Sequence, residues 1–143
     1  QLRDVMPRDA VWARDITQNN TTWGNRVFPL SSPNQNVYPT GAGIGQGLCL
    51  GIGAAAAAMQ NNQKTVVMSG DGGFYLNMGE LWTAVQEDLD MVVVVMNDAG
   101  YGVIKRIQDH TAQGCRYYAD LPGPALENFA AMSAIPFFQV ERS

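Results

Sequence analysis

Lys64-Thr65-Val66-Val67-Met68-Ser69-Gly70-Asp71-Gly72-Gly73 and Met91-Val92-Val93-Val94-Val95-Met96-Asn97-Asp98-Ala99-Gly100 decide how this chain folds. Each is a short apolar run followed at once by glycine and by side chains that carry oxygen. Residues 64–69 read as a compact buried strand. Residues 91–96 are apolar on both faces, as a central parallel strand requires. Residues 77–87 between them have helical spacing. Asn77, with Glu80 three positions on, predicts a capping box at the helix start. Strand, helix and strand in this order make one βαβ unit.

Working outward, residues 10–16 are strand-like but weakened by two charges, and 17–33 form a polar, Asn-rich loop. A short strand is expected over 36–38, a glycine loop over 41–47 and a buried, Ala-rich helix over 48–59. Helices follow over 101–108 and 125–134, and an apolar strand over 137–140 closes the series. This alternation predicts an α/β fold with a doubly wound, mainly parallel sheet and helices on both faces. In such sheets ligands bind at the carboxyl ends of the strands. The segments 70–73 and 97–100 therefore open on one edge. Asp98 lies 27 residues after Asp71, one strand–helix–strand traverse, so the two side chains come side by side.

The chain has 143 residues, which suits one domain, and 46% of them are hydrophobic, enough for a core. The net charge is −4 with few, scattered basic residues, which argues against a nucleic-acid groove. No run of eighteen apolar residues and no secretory pattern is present, so a cytoplasmic protein without membrane contact is expected. Cys49 and Cys115 stand in unrelated contexts and read as free thiols. Gln1 is not an initiating Met, and Ser143 follows an apolar segment with nothing to cover it. A fragment or subunit of something larger is therefore expected.

An Asp between glycines after a buried strand places a carboxylate at the sheet edge, beside backbone free to approach a ligand. A tight Asp-Gly turn is the bland alternative. One carboxylate with free N–H groups suits a phosphate carried by a hard metal. Asn97 and Asp98 offer two more oxygen-bearing side chains from the neighbouring loop.

The stretch from Gly70 to Ile104 resembles the metal and diphosphate signature of the acetolactate synthase, pyruvate oxidase and pyruvate decarboxylase group of thiamine diphosphate enzymes. The likeness covers nearly all of Val11 to Val140 but only the cofactor half of such an enzyme, and it is closest to acetolactate synthase-like large subunits. It implies Asp71 and Asp98 as side-chain ligands of Mg²⁺, with the Gly100 carbonyl as third. It also implies that Gly70, Gly72, Gly73 and Tyr101 line the diphosphate. The family usually has two Asn where this chain has Asn97-Asp98, and a register slip of one would make Asn97 the ligand. Gly41-Ala42-Gly43-Ile44-Gly45 resembles the segment beside the aminopyrimidine ring. There Ile44 would wedge under the cofactor and bend it, with Ala42, Gly43 and Ile44 supplying contacts. Gln18 matches a residue that touches the diphosphate, and Asn19 replaces the family's His.

The resemblance further implies a 2-keto acid substrate, decarboxylated or joined to a second carbonyl. It implies a homo-oligomer and a separate pyrimidine-binding domain or subunit that supplies a catalytic Glu. No catalytic side chain is assignable within this chain. Ile104 stands where decarboxylases carry a Glu, and Ile107 where acetolactate synthases carry a Trp. His110 reads as a surface residue, and Trp12, Trp23 and Trp82 as packing. Two rival readings are kept. One is a non-catalytic cofactor or assembly module. The other is a nicotinamide dehydrogenase built on Gly51-Ile52-Gly53, which lacks the acidic residue that reading needs.

Overall fold

The computed structural model describes residues 2–18, 24, 27–41 and 43–140. Four strands form one parallel sheet: β1 (Val11–Arg14), β2 (Asn36–Val37), β3 (Thr65–Gly70) and β4 (Met91–Met96), in the order β2-β1-β3-β4. β3 pairs with β1 from Val11–Thr65 to Arg14–Met68, and with β4 along its whole length. The helices are α1 (Leu2–Val5), α2 (Gln46–Met59), α3 (Asp71–Asn77), α4 (Leu81–Gln86), α5 (Gly102–Thr111) and α6 (Leu126–Met132). The expected α/β, doubly wound architecture is present.

The alternation of side chains along β3 and β4 sends them to two cores. On one face Leu48, Phe74, Leu81 and Ala84 pack with Val93, Val95, Leu126 and Phe129. On the other, Trp12 stacks on Phe28 with ring centroids 4.3 Å apart, among Met6, Val66 and Met68. α2 lies close on β3, because a Cβ at Gly51 would strike the Val67 side chain. Gly51 is thus a packing contact inside a helix, and the nicotinamide reading of this stretch loses its basis. Arg14, buried at the end of β1, gives Nε and Nη2 to Asn36 Oδ1 (3.3 and 3.2 Å) and lies over the Tyr38 ring. These contacts hold the two-residue β2 against β1.

Several expectations are corrected. The 10–16 strand shrinks to Val11–Arg14; Asp15 N still donates to Met68 O at 2.8 Å, while its carboxylate turns to the glycine loop. The 70–73 segment is not a loop: α3, an unexpected helix, begins at Asp71, ahead of the turns over 78–86 that fill the expected 77–87 helix. Asn77 is no cap of a new helix; its side chain donates to Gly45 O at 2.7 Å. A 3₁₀ turn at Met78–Glu80 then separates α3 from α4. β4 is an edge strand here, not a central one, and Val92 is 53% exposed. Residues 137–140 form no strand, and Phe138 and Val140 are exposed: an apolar run without a ladder partner stays irregular. Trp12 is buried as expected, Trp82 is half-exposed, and Trp23 lies outside the described residues. Among the described residues no helix is long and apolar enough to cross a membrane.

Candidate functional site

The chain runs from β1 to β2 on one side, then returns to β3 on the other side of β1. That reversal leaves a crevice between the carboxyl ends of β1 and β3, the place where open parallel sheets bind ligands. Three chain segments meet there: the end of β1, the start of α3 and the loop after β4.

Asp15 organises the first of them. It is fully buried, and its carboxylate accepts from Ile16 N at 2.7 Å, Gly45 N at 2.8 Å and Ser69 Oγ at 3.1 Å. Gly45 has φ +93°, a conformation glycine reaches at no steric cost, and its N–H thereby reaches Asp15. The glycine loop is thus tied to both central strands. Asp15 was not among the expected site residues. Its one sequence signal is an acidic residue just past a strand, and polar loops carry many of those.

Asp71 opens α3 and is 2% exposed. Its Oδ1 accepts from Gly72 N at 2.9 Å, and its Oδ2 accepts from Gly100 N at 3.0 Å. Asp98 faces it from the β4 loop. The Asp98 carboxyl is pushed above its ordinary range, first by partial burial and next by the charge of Asp71, with which it shares a side-chain hydrogen bond; Lys105 acts the other way. Two carboxylates therefore converge across the mouth of the crevice. Gln18 reaches the same point: a side chain at Gly102 would strike Asp98 Oδ2 and lie 3.3 Å from Gln18 Oε1.

The loop after β4 has a fixed polarity. The Ala99–Gly100 peptide turns its N–H to Asp71 and its carbonyl to Leu121 N, at 3.0 Å. The next peptide gives its Tyr101 N–H to Ala119 O at 2.8 Å. A trans peptide holds N–H and C=O on opposite sides, so the Gly100 carbonyl turns back toward the Asp71 side. Among the described residues no three His, Cys, Asp or Glu side chains cluster as a metal site. A cation here would draw on two carboxylates and backbone oxygen.

The remaining expected residues fall as follows. Gly70 caps α3, and Gly72 and Gly73 lie in its first turn. A Cβ at Gly73 would strike Asp15 Oδ2. The Tyr101 ring lies against Gly72, where a Cβ would come 2.7 Å from it. Gly43 and Ile44 sit exposed at the crevice rim, and Ile44 keeps 37% of its surface. Ala42 and Asn19 lie outside the described residues. His110, Ile104 and Ile107 are exposed on α5, and Cys49 and Cys115 are exposed free thiols.

Residues 15–143 match the family described as thiamine pyrophosphate enzyme, C-terminal TPP binding domain. The chain belongs to that family. Its cofactor is thiamine diphosphate, as the segments at the sheet edge imply. A probable 2-ketoarginine decarboxylase of Pseudomonas aeruginosa is 40% identical over 107 residues, covering 73% of this chain and 19% of that protein. The acetolactate synthase isozyme 1 large subunit of Escherichia coli is 31% identical over 127 residues, covering 88% of this chain and 22% of that protein. Benzoylformate decarboxylase from Polynucleobacter necessarius superposes with a TM-score of 0.88 at 22% identity, over 98% of this chain and 27% of that one. That last likeness speaks for the fold alone. The thiamine diphosphate domain spans about a fifth of the length of the curated relatives it matches.

Proposed function

We propose that this domain is the diphosphate-binding half of a 2-keto acid decarboxylase or carboligase, and that it holds thiamine diphosphate through Mg²⁺. The observation that carries the reading is the convergence of Asp71 and Asp98 at the carboxyl edge. Two carboxylates pressed together form an incomplete arrangement that a hard divalent cation completes. The donors are all oxygen, which suits Mg²⁺ over softer metals. Asp71, Asp98 and the Gly100 carbonyl would be its protein ligands, leaving positions for diphosphate oxygens and water. Asp98, not Asn97, is the second ligand in this reading, because Asn97 Oδ1 is engaged locally by Ala99 N at 3.1 Å.

Bound at this edge, the cofactor supplies the electron sink for loss of CO₂. The domain's own residues do the rest of the work on this side. Gly70, Gly72, Gly73, Gln18 and Tyr101 border the diphosphate, with Asn19 as a further candidate. Ala42, Gly43 and Ile44 present the rim on which the pyrimidine ring would rest. Asp15 holds that rim to the sheet. Relatives named for 2-ketoarginine and benzoylformate decarboxylation and for acetolactate synthesis support a 2-keto acid substrate. Their greater length supports a further domain or subunit carrying the pyrimidine-binding side and its Glu. The intact carboxylate pair weighs against a module that has lost cofactor binding.

The test is calorimetric titration of thiamine diphosphate with Mg²⁺. Asp71→Ala removes the buried charged ligand and should abolish Mg²⁺-dependent binding. Asp98→Asn, which restores the family's usual residue type, should keep binding with a weaker metal requirement. Unchanged affinity in Asp71→Ala would remove the assignment.

A further inference from the structure

The cation loop has a brace on its outer side. Lys105, one turn into α5, keeps only 18% of its side chain exposed, although lysine is ordinarily among the most exposed residues. Its ammonium pairs with Asp120 Oδ1 at 2.9 Å and reaches Ala99 O at 3.4 Å. Its end passes directly over Gly100, where any Cβ would strike Nζ. Residues 99–101 and 119–121 are meanwhile joined by an antiparallel bridge between Gly100 and Asp120. The Ala99 carbonyl therefore has two donors on the outer side, Leu121 N and Lys105 Nζ. Among the described residues the Gly100 carbonyl accepts from Gly102 N, at 3.1 Å, and is turned the other way.

We infer that Lys105 is a positioning residue for the cation loop. Pinned between Asp120 and Ala99 O, it holds the two peptides in the orientation that offers the Gly100 carbonyl to the metal. This inference rests on the cation site proposed above and adds a residue that touches neither metal nor cofactor. Without the brace, Ala99, held at φ +53°, is free to leave the left-handed region and rotate the carbonyl pair. The sign of the effect separates a brace from a bystander. A lysine acting only as a nearby positive charge repels a divalent cation, so its loss would tighten metal binding. Loss of a brace weakens it.

The experiment is a Mn²⁺ titration of the chain followed by electron paramagnetic resonance, with thiamine diphosphate present. Lys105→Met should weaken Mn²⁺ binding about tenfold or more, the range seen when residues that orient metal ligands are removed. Lys105→Arg, which keeps the charge and donors, should recover most of it. Asp120→Ala, at a side chain 90% exposed, should give a smaller loss in the same direction. Unchanged or tighter Mn²⁺ binding in Lys105→Met and Asp120→Ala overturns the inference. The Asp71→Ala variant separates the two levels. If it binds Mn²⁺ normally, the cation site itself is wrong and the role of Lys105 falls with it. If it loses Mn²⁺ while Lys105→Met does not, the role of Lys105 alone is refuted.

Discussion

At Asp15 a carboxylate with no solvent exposure collects donors from three separate segments: its own next residue, the glycine loop and β3. Removing it leaves Ile16 N and Gly45 N without that acceptor, and hydrogen bonds to a charged group contribute about 1.5–3 kcal/mol each. Asp15→Ala should therefore lower unfolding free energy by about 3 kcal/mol in urea titration, with cofactor affinity falling as the rim loosens. A loss under about 0.5 kcal/mol, the range of an ordinary surface substitution, would show that the network is not structural. That Asp71 and Asp98 lie at the carboxyl edge is readable from the sequence, because a carboxylate after a glycine-flanked strand end has a fixed place in a parallel sheet. The role of Asp15 is not, because its partners lie 30 and 54 residues away.

Among the elements, α2 makes opposite demands on two glycines in one turn. Gly51 faces β3 with no room for a side chain, while a Cβ at Gly53 meets open space. Alanine gains about 1 kcal/mol over glycine in a helix interior by propensity alone. Gly53→Ala should then raise stability by up to about 1 kcal/mol. Gly51→Ala should lower it despite the same propensity gain, because the stiff Val67 side chain must shift. Chemical denaturation midpoints of the two variants check the contrast, and a stabilised Gly51→Ala would contradict the packing. The helix itself was readable from its Ala-rich run. Which glycine touches the sheet was not, since that depends on the rotation of the helix about its axis. α3 was missed for a related reason. Gly72 and Gly73 read as loop formers by propensity, yet packing against Asp15 and Tyr101 holds them in a helical turn.

For the whole molecule, many large apolar side chains stay exposed. Val92 and Met96 on β4, Val103, Ile104 and Ile107 on α5, and Phe138 and Val140 all keep over a third of their surface exposed. Exposed apolar surface of this kind fits the proposal that the chain works against a further domain. Residues 1–143 alone should bind thiamine diphosphate weakly and should not decarboxylate 2-keto acids, since the glycine loop, residues 41–47, carries no carboxylate. Assay of purified chain with pyruvate and bulkier 2-keto acids for CO₂ release tests this. Turnover on the order of 1 s⁻¹ or more, an ordinary enzymatic rate, would overturn it.

By itself the amino-acid sequence determined the alternation of strands and helices, the parallel sheet and the edge on which Asp71 and Asp98 meet. These follow from periodicity and from the direction of parallel strands, which are local properties. Only the tertiary structure decided that β4 stands at an edge and that residues 137–140 find no ladder. It alone made Asp15 the tie between loop and sheet and set Lys105 and Asp120 behind the cation loop. Those outcomes depend on contacts between segments distant along the chain, and composition and spacing carry no record of them.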